Sequence, residues 1–364
     1  MLGGIDLKAE VLNASSCTLC GACLDWCPYL KNLADHLVMP FDCNLKDGRC
    51  YAICPRTFTD WQRYREIYLH DAPYSPELGA YTAIYKVKSA TPLDGQQDGG
   101  TVSNLAKTAL EQDLVQTILL TGTEDNITPF SFLGTCAEDI DKAAGSRFLA
   151  SPGLRKINEA SQKGVQKMLV VGRPCQIQAL RKYQDYCDQP GIDIVSIGLF
   201  CLWSLSWSFK DYLQETYPGL EIEKITIPQH GVEVLTNAGS KVLPTEKVKE
   251  FIRPGCAYCL DMTSELADIS VGAFEAEPSW NTVIVRTPQG LRLLESAVDK
   301  GYLILEDYPE QELQGLKRAS INKKARNLKV LKEAVDNGQL KAFVDLSQLE
   351  YEEILTCAEG MVKS

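Results

Sequence analysis

Seven of the chain's 14 cysteines lie between Cys17 and Cys54. So many thiols call for disulfides or for metal or cluster ligation. The N-terminus, MLGGIDLKAE, is acidic and lacks the apolar stretch of a secretory leader, so a cytoplasmic, soluble protein is expected. Disulfides are rare in that reducing setting, which leaves metal or cluster ligation. The three histidines, His36, His70 and His230, are scattered, too few for His-rich metal sites and against a His-based triad. Cys136, Cys187 and Cys357 stand alone and read as buried small apolar side chains.

Residues 17–28 read CTLCGACLDWCP. Cys17, Cys20, Cys23 and Cys27-Pro28 have the C-x2-C-x2-C-x3-C-P spacing of bacterial ferredoxins. Thiolates at this spacing can wrap three corners of an iron–sulfur cube in one tight loop. Gly21 lets the backbone come close, so that amides point at the sulfurs. Pro28 stops the chain from continuing as helix. In two-cluster ferredoxins the fourth cysteine crosses to the other cube.

The second group is irregular: Cys43, Asp47, Cys50 and Cys54-Pro55. It ends in C-x3-C-P, but a regular motif would have cysteine at 44 and 47, and here cysteine sits at 43 and aspartate at 47. By the crossing rule Cys17, Cys20, Cys23 and Cys54 hold one cluster. Cys27, Cys43 and Cys50 hold the other, its fourth corner being Asp47, another ligand, or nothing. A carboxylate is harder and binds iron less tightly, so this site is expected to degrade more readily to a three-iron form. The alternative for the head is zinc. Zinc sites use paired C-x2-C hooks at a distance, and three hooks in a row ending in C-P speak for clusters.

With 364 residues the chain has the length of two or three domains. Its 45% hydrophobic and 23% charged content excludes a mostly disordered chain. A net charge of −11 argues against nucleic acid or an anionic membrane as main partner. The longest apolar stretch, Val195 to Trp207, is broken by serines and too short to span a bilayer. The head is assigned to residues 1–72, and a Pro-rich linker, Asp71 to Gly79, leads to a larger domain at 80–364. There, strand-like runs at Gln116–Leu120, Lys167–Val171, Asp193–Cys201, Ile269–Phe274 and Asn281–Thr287 alternate with helix-period segments. The helical segments are Val102–Gln112, Leu154–Lys163, Gln176–Tyr186, Phe209–Tyr217 and Leu291–Lys300. Glu221–Leu243 reads as an antiparallel meander with turns at Pro228–Gly231 and Asn237–Gly239. The basic run Lys317–Lys332 has helical spacing and reads as a solvated helix face.

Four segments of the larger domain belong together: Gln97–Gln112, Val170–Lys182 (VVGRPCQIQALRK), Ile197–Cys201 (IGLFC) and Gly255–Gly272, which runs on to Ser279–Thr287 (SWNTVIVRT). Matched in order over roughly residues 85–330, they resemble the β subunit of the coenzyme F420-reducing hydrogenase family. That family includes the F420-oxidising subunits of F420H2 dehydrogenases and formate dehydrogenases. The resemblance implies an FAD-binding domain with a 4Fe-4S cluster of its own, on Cys175, Cys201, Cys256 and Cys259. The residues agree independently: Cys175 follows a strand and opens a helix, Cys201 ends a neighbouring strand, and Cys256 with Cys259 forms a hook. A zinc site is again the alternative. The implied fold is α+β: a small ferredoxin-like head with two 4Fe-4S clusters, followed by an α/β FAD-binding domain with some antiparallel sheet.

No G-x-G-x-x-G follows a strand, so the FAD contacts rest on the resemblance. They are Asp98, Gly99, Gly100 and Thr101; Ser146 and Arg147 with Ser151 and Pro152; Arg173, Pro174 and Gln176; and Trp280 and Thr282. One departure stands out. The family has a Gly-rich loop before the Trp, and this chain has Glu275 and Glu277 there. Two carboxylates would repel the anionic F420 unless they point away. The implied function is hydride exchange between FAD and a soluble carrier, coenzyme F420. Two or three clusters then relay single electrons to or from a hydrogenase, formate dehydrogenase or heterodisulfide-reductase-type subunit. The flavin carries the chemistry, and no side chain is needed as nucleophile or base. The alternatives are a ferredoxin-dependent flavin reductase of another small substrate, a non-catalytic electron-transfer subunit, and a zinc scaffold.

Overall fold

Runs of Val, Ile and Leu in the larger part of the chain assemble into one eight-stranded mixed sheet. The computed structural model describes residues 2–91, 99–187, 191–227, 231–346 and 349–362. The strands are β1 (Ala83–Ser89), β2 (Thr117–Thr123), β3 (Pro129–Gly134), β4 (Lys167–Gly172), β5 (Asp193–Leu199), β6 (Ile269–Ala273), β7 (Asn281–Val285) and β8 (Leu303–Asp307). Their order is β8-β1-β7-β6-β5-β4-β2-β3. The central strands β2, β4, β5 and β6 are parallel, and the flanks pair antiparallel.

A sheet covered on both faces reads as continuous hydrophobic runs. In β4, Met168 and Val170 face one core and Leu169 the other. The helices are α1 (Trp61–Tyr68), α2 (Thr101–Glu111), α3 (Ala137–Lys142), α4 (Arg155–Gln162), α5 (Pro174–Tyr186), α6 (Ser208–Thr216), α7 (Pro288–Asp299), α8 (Glu310–Asp336) and α9 (Leu349–Val362). One face of the sheet is covered by α2, α3 and α7 through Leu105, Ile140 and Leu294. The other is covered by α4 and α5 through Ile157, Ile177 and Leu180, joined by Ile53 and Tyr64 of the head. The expected meander is a separate three-stranded antiparallel sheet, Ile222–Thr226, Val232–Thr236 and Gly239–Leu243. It packs with Phe209 and Leu213 of α6. Of its expected turn at Pro228–Gly231, residues 228–230 lie outside the described residues.

The head has little regular structure: a helix at Gly4–Leu7, a hairpin of Lys31–Leu33 with His36–Val38, a turn of helix at Arg49–Ala52, and α1. Its core of Leu7, Val11, Leu24, Leu30 and Met39 includes Cys43 and Cys50. The Asp71–Gly79 segment carries a short antiparallel pair, Tyr74–Ser75 with Gly79–Ala80, and Leu78 within it is fully buried. Among the described residues, no helix is long and apolar enough to cross a membrane.

The tail corrects one expectation. The basic run belongs to the 27-residue α8, but Lys323 and Lys324 are only 2% and 3% exposed. Ile321, Ala325, Leu328 and Leu331 form an apolar stripe against α9. Lys324 lies three residues after Ile321 and four before Leu328, on that stripe, so the run is no uniform solvated face.

Candidate functional site

Cys17, Cys20, Cys23 and Cys54 line one cavity with Leu7, Val11, Leu24 and Pro55, and Cys27 is outside this group. The local loop turns main-chain amides toward sulfur. Leu19 N and Arg56 N donate to Cys17 and Cys54 Sγ, both at 3.4 Å, and the Ala22 amide donates to Cys20. Burial nevertheless holds all four thiols above their ordinary range, Cys54 at about 11. A buried cation stands behind them. Lys182 of α5, 4% exposed, sends Nζ to the carbonyls of Cys54 (2.7 Å) and Phe58 (2.8 Å) and to Thr57 Oγ1 (2.9 Å). Gly21 has a second role. At φ +89° it is left-handed, and a Cβ there would lie 2.2 Å from the Pro152 carbonyl oxygen. It lets the loop dock on the larger domain.

Cys27, Cys43 and Cys50 form a second neighbourhood. Burial pushes Cys50 up to about 11, and Cys27 and Cys43 add to the rise as like charges. Two glycines keep the space around the thiols. A Cβ on Gly4 would meet Cys43 Sγ at 3.3 Å, and one on Gly48 would meet Cys50 Sγ at 3.2 Å. Asp47, in the loop between them, is exposed.

The third group is assembled from distant segments. Cys175 is the second residue of α5, just past β4. Cys201 follows β5, the neighbour of β4, by two residues. Cys256 lies in the turn Pro254–Tyr258, and Cys259 follows that turn. Burial raises Cys201 to about 12 and also raises Cys256. Sequence reasoning missed what closes this group. Lys323 Nζ donates to the carbonyls of Cys201 and Asp261, both at 2.7 Å, and to Cys259 Sγ at 3.7 Å. One turn later, Asn327 Nδ2 donates to the carbonyls of Cys256 (3.1 Å) and Cys259 (2.9 Å). The available signal was a lysine four residues before an asparagine beside an apolar stripe.

The groups are neighbours. Cys23 senses the charge of Cys50, and Cys17 and Cys20 both sense Cys175. The joint is tight: a Cβ on Gly255 would lie 2.4 Å from the Ser16 carbonyl oxygen. Buried Arg253 clamps it, bonding Asp35 Oδ2 at 2.7 Å and the Cys17 carbonyl at 3.4 Å. All 14 cysteines are free thiols. Among the described residues, no three His, Cys, Asp or Glu converge to hold a single metal ion. The thiols of Cys17, Cys20, Cys23 and Cys54, lining the walls of one cavity, suit an inorganic core. Cys136 corrects its expectation, being exposed before α3, whereas Cys187 and Cys357 are half-buried.

The expected FAD contacts are strung along the carboxyl edge of the parallel strands, where open α/β sheets bind ligands. At the centre, Arg173 and Gln176 both bond the Ser151 carbonyl, and the guanidinium also reaches Ser204 Oγ. Pro174 opens α5, and Pro152 meets Gly21. At one end, Ser146 and Arg147 line a second cavity with Asn126, Lys224 and Glu223, residues not singled out from sequence. Among the described residues, Arg147 bonds the carbonyls of Ala144 and Ser146, and its Nε is buried without a partner. That suits an anionic group. At the other end, left-handed Gly100 opens α2, and Asn281 Oδ1 accepts from Thr101 N at 3.3 Å. A Cβ on Gly99 would collide with that oxygen at 2.5 Å. Thr101 Oγ1 is buried without a partner among the described residues, and Asp98 lies outside them. Four strand-to-strand steps separate β7 from β2, roughly 19 Å across the sheet. Trp280 is 3% exposed, with Lys86 and Lys88 ammonium groups 4.1 and 4.2 Å from its ring centre. Thr282 Oγ1 lies 3.1 Å from the Tyr308 hydroxyl. The Glu277 carboxylate accepts from Lys86 (2.9 Å) and Trp280 Nε1 (2.7 Å), and Lys86 is shared with Glu306 at 3.0 Å, so the Glu277 charge is offset only in part.

Comparison with known proteins follows the same segments. The family models for the coenzyme F420 hydrogenase/dehydrogenase beta subunit match in order, the N-terminal one over residues 84–158 and the C-terminal one over residues 165–311. Both begin after the cysteine-dense head. The chain is 30% identical over 274 residues to the coenzyme F420 hydrogenase subunit beta of Methanosarcina barkeri, covering 71% of this chain and 94% of that one. It is 28% identical over 319 residues to an F420H2 dehydrogenase subunit of Methanosarcina mazei, covering 84% and 89%. It is 29% identical over 332 residues to a coenzyme F420-dependent sulfite reductase of Methanocaldococcus jannaschii, 85% of this chain but 50% of that protein. A chain of the F420-reducing [NiFe] hydrogenase complex from Methanosarcina barkeri superposes with a TM-score of 0.67 at 30% identity, over 73% of this chain and 96% of that chain. Since both halves of the family match in order and its hydrogenase member aligns over nearly its whole length, the chain belongs to the coenzyme F420 hydrogenase/dehydrogenase beta subunit family, a family of oxidoreductase subunits.

Proposed function

We propose that this chain is an FAD- and iron–sulfur-dependent oxidoreductase subunit. It exchanges hydride between FAD and coenzyme F420, and passes single electrons to or from a partner complex of the hydrogenase, formate dehydrogenase or heterodisulfide-reductase type. When bound, FAD supplies the two-electron chemistry and the clusters the one-electron chemistry.

The observation that carries this reading is the serial order of the three cysteine groups. Cys27, Cys43 and Cys50 neighbour Cys17, Cys20, Cys23 and Cys54, which neighbour Cys175 of the third group. Cys175 in turn is two residues from Arg173, at the carboxyl edge of the sheet. The chain's own residues have definite tasks. The cysteines hold iron, and burial keeps water from it. Arg173 and Arg147 offer guanidinium edges to an anionic cofactor, and Gln176 fixes the turn that presents Arg173. Lys86, shared between Glu277 and Glu306, offsets part of the repulsion that the acidic loop would exert on an anionic carrier.

The test is purification without oxygen, followed by iron, sulfide, zinc and flavin analysis. Roughly eight to twelve iron per chain, with about one flavin, is expected from two or three cubane clusters. The protein should also bleach F420 absorbance with a viologen as electron partner. Colourless protein, or zinc in place of iron, overturns the reading. The acidic loop containing Glu275 and Glu277 favours a second reading, in which another small substrate replaces F420. Turnover of such a substrate, with F420 absorbance unchanged, selects it.

A further inference from the structure

We propose that the ammonium of Lys323 raises the reduction potential of the redox centre held by Cys175, Cys201, Cys256 and Cys259. The inference rests on the reading above, that these four cysteines carry a cluster, and goes beyond it by assigning a tuning residue.

Lys323 is 2% exposed, on the buried side of α8. Its three ammonium protons have three acceptors: the Cys201 and Asp261 carbonyls at 2.7 Å and Cys259 Sγ at 3.7 Å. The contact to residue 261 is to the main chain. Among the described residues Lys323 forms no ion pair with a carboxylate, whereas adjacent Lys324 pairs with Glu265 at 2.7 Å. Buried Arg286, a further cation acting on Asp261, spends its donors on the Leu78, Ala80 and Thr263 carbonyls and on hydroxyls. Asp261 is the nearby counter-charge, and its Oδ2 accepts from Glu265 N.

A buried cation is costly unless negative charge comes close to it. The sulfur ligands, with Asp261 nearby, supply that charge. The first group receives main-chain N–H donors from Leu19, Ala22 and Arg56. In the third group, Cys201 and Cys259 Sγ face the carbonyls of Trp203 and Asp261. Cys256 Sγ likewise faces the Ser204 carbonyl at 3.9 Å, and Lys323 is the cationic donor on Cys259. Cluster potential depends on net charge, hydrogen bonds to sulfur and solvent exposure. A one-electron reduction adds negative charge, and a fixed cation in a dry site stabilises the reduced form more than the oxidised one.

The experiment uses the full chain, purified without oxygen and loaded, in wild-type, K323M, K323Q, K323R and C256S forms. The readout is a redox titration followed by EPR, with iron and sulfide content. The signal belonging to the third group is the one lost in C256S. In K323M its equilibrium constant for reduction should fall at least tenfold, about 59 mV for a one-electron couple. K323R, which keeps the charge, should stay within about twofold of wild type. If K323M loads poorly, K323Q, a shorter uncharged donor, takes its place with the same expected fall. A midpoint unchanged in K323M or K323Q at normal iron content overturns the proposal. So does an equal fall in K323R, because shape and not charge would then matter. If C256S keeps its full iron and every signal, the cluster reading itself fails, and Lys323 falls with it.

Discussion

The first and third cysteine groups are neighbours, and their thiols are half-buried or buried, yet they are built by opposite rules. In the first, three of four thiols come from one loop of the sequence, and that loop's own amides turn toward sulfur. In the third, each segment arrives from a different part of the chain, and a distant helix supplies Lys323 and Asn327. A local loop carries its electrostatics with it. An assembled site must recruit them from elsewhere in the fold, and their removal should be felt differently.

The largest effects test group membership. C20S and C54S should each cost about four iron per chain, since each removes a corner of the same cube, while C27S should spare that cluster and damage the second. Iron, sulfide and EPR spectra decide it. If C54S behaves like C27S and unlike C20S, the crossing assignment is wrong. Next in size is the joint between the groups. D35A leaves Arg253 buried without its carboxylate, and truncating one partner of a buried pair costs about 3–5 kcal/mol. R155A breaks an exposed pair with Asp25 across the same joint and should cost about 0–1 kcal/mol. Thermal unfolding under argon should therefore rank D35A far below R155A, and equal midpoints would mean that Arg253 does not clamp the joint.

The same contrast explains what could be read from sequence. The first group was legible because its ligand spacing is local. The expected strands and helices of the larger domain match β2, β4, β5, β6, β7 and α2, α4, α5, α6 and α7 to within a few residues, because each carries its own periodicity. The meander at Glu221–Leu243 was legible for the same reason. The flank strands β1, β3 and β8 were missed: AIYKVKS, PFSFLG and LILED have mixed burial, and only pairing, with each other and β7 or, for β3, with β2, defines them. The roles of Lys182, Arg253 and Lys323 were illegible, since a buried lysine or arginine looks like a surface one until the fold supplies its acceptors. The resemblance located the third group, and spacing alone would have left it as a hook and two stray thiols.

Asn327 gives a smaller test of the assembled group. N327A removes two hydrogen bonds, to the Cys256 and Cys259 carbonyls, about 1–2 kcal/mol together. The loss is local, so the expected result is faster release of third-group iron to a chelator, with first-group iron unaffected. Equal release from both groups would mean that α8 supports the whole molecule and not this site in particular.

The smallest expected change concerns one iron atom, and it separates the two groups of the head. Cys17, Cys20, Cys23 and Cys54 surround their cavity with four thiols. Cys27, Cys43 and Cys50 offer three, and the residue in the place of a fourth, Asp47, is exposed on its loop. A corner held by a solvated carboxylate, or by none, is the first to lose iron. Brief exposure of wild-type protein to air should produce a three-iron EPR signal amounting to about one iron lost per chain. D47C supplies a thiolate, and it should suppress that signal while changing stability by less than about 0.5 kcal/mol, because the site is on the surface. D47A should leave the first group's spectrum as it is. Absence of any three-iron signal in air-exposed wild type would show that the irregular group closes its fourth corner by other means, and would remove the asymmetry between the two halves of the head.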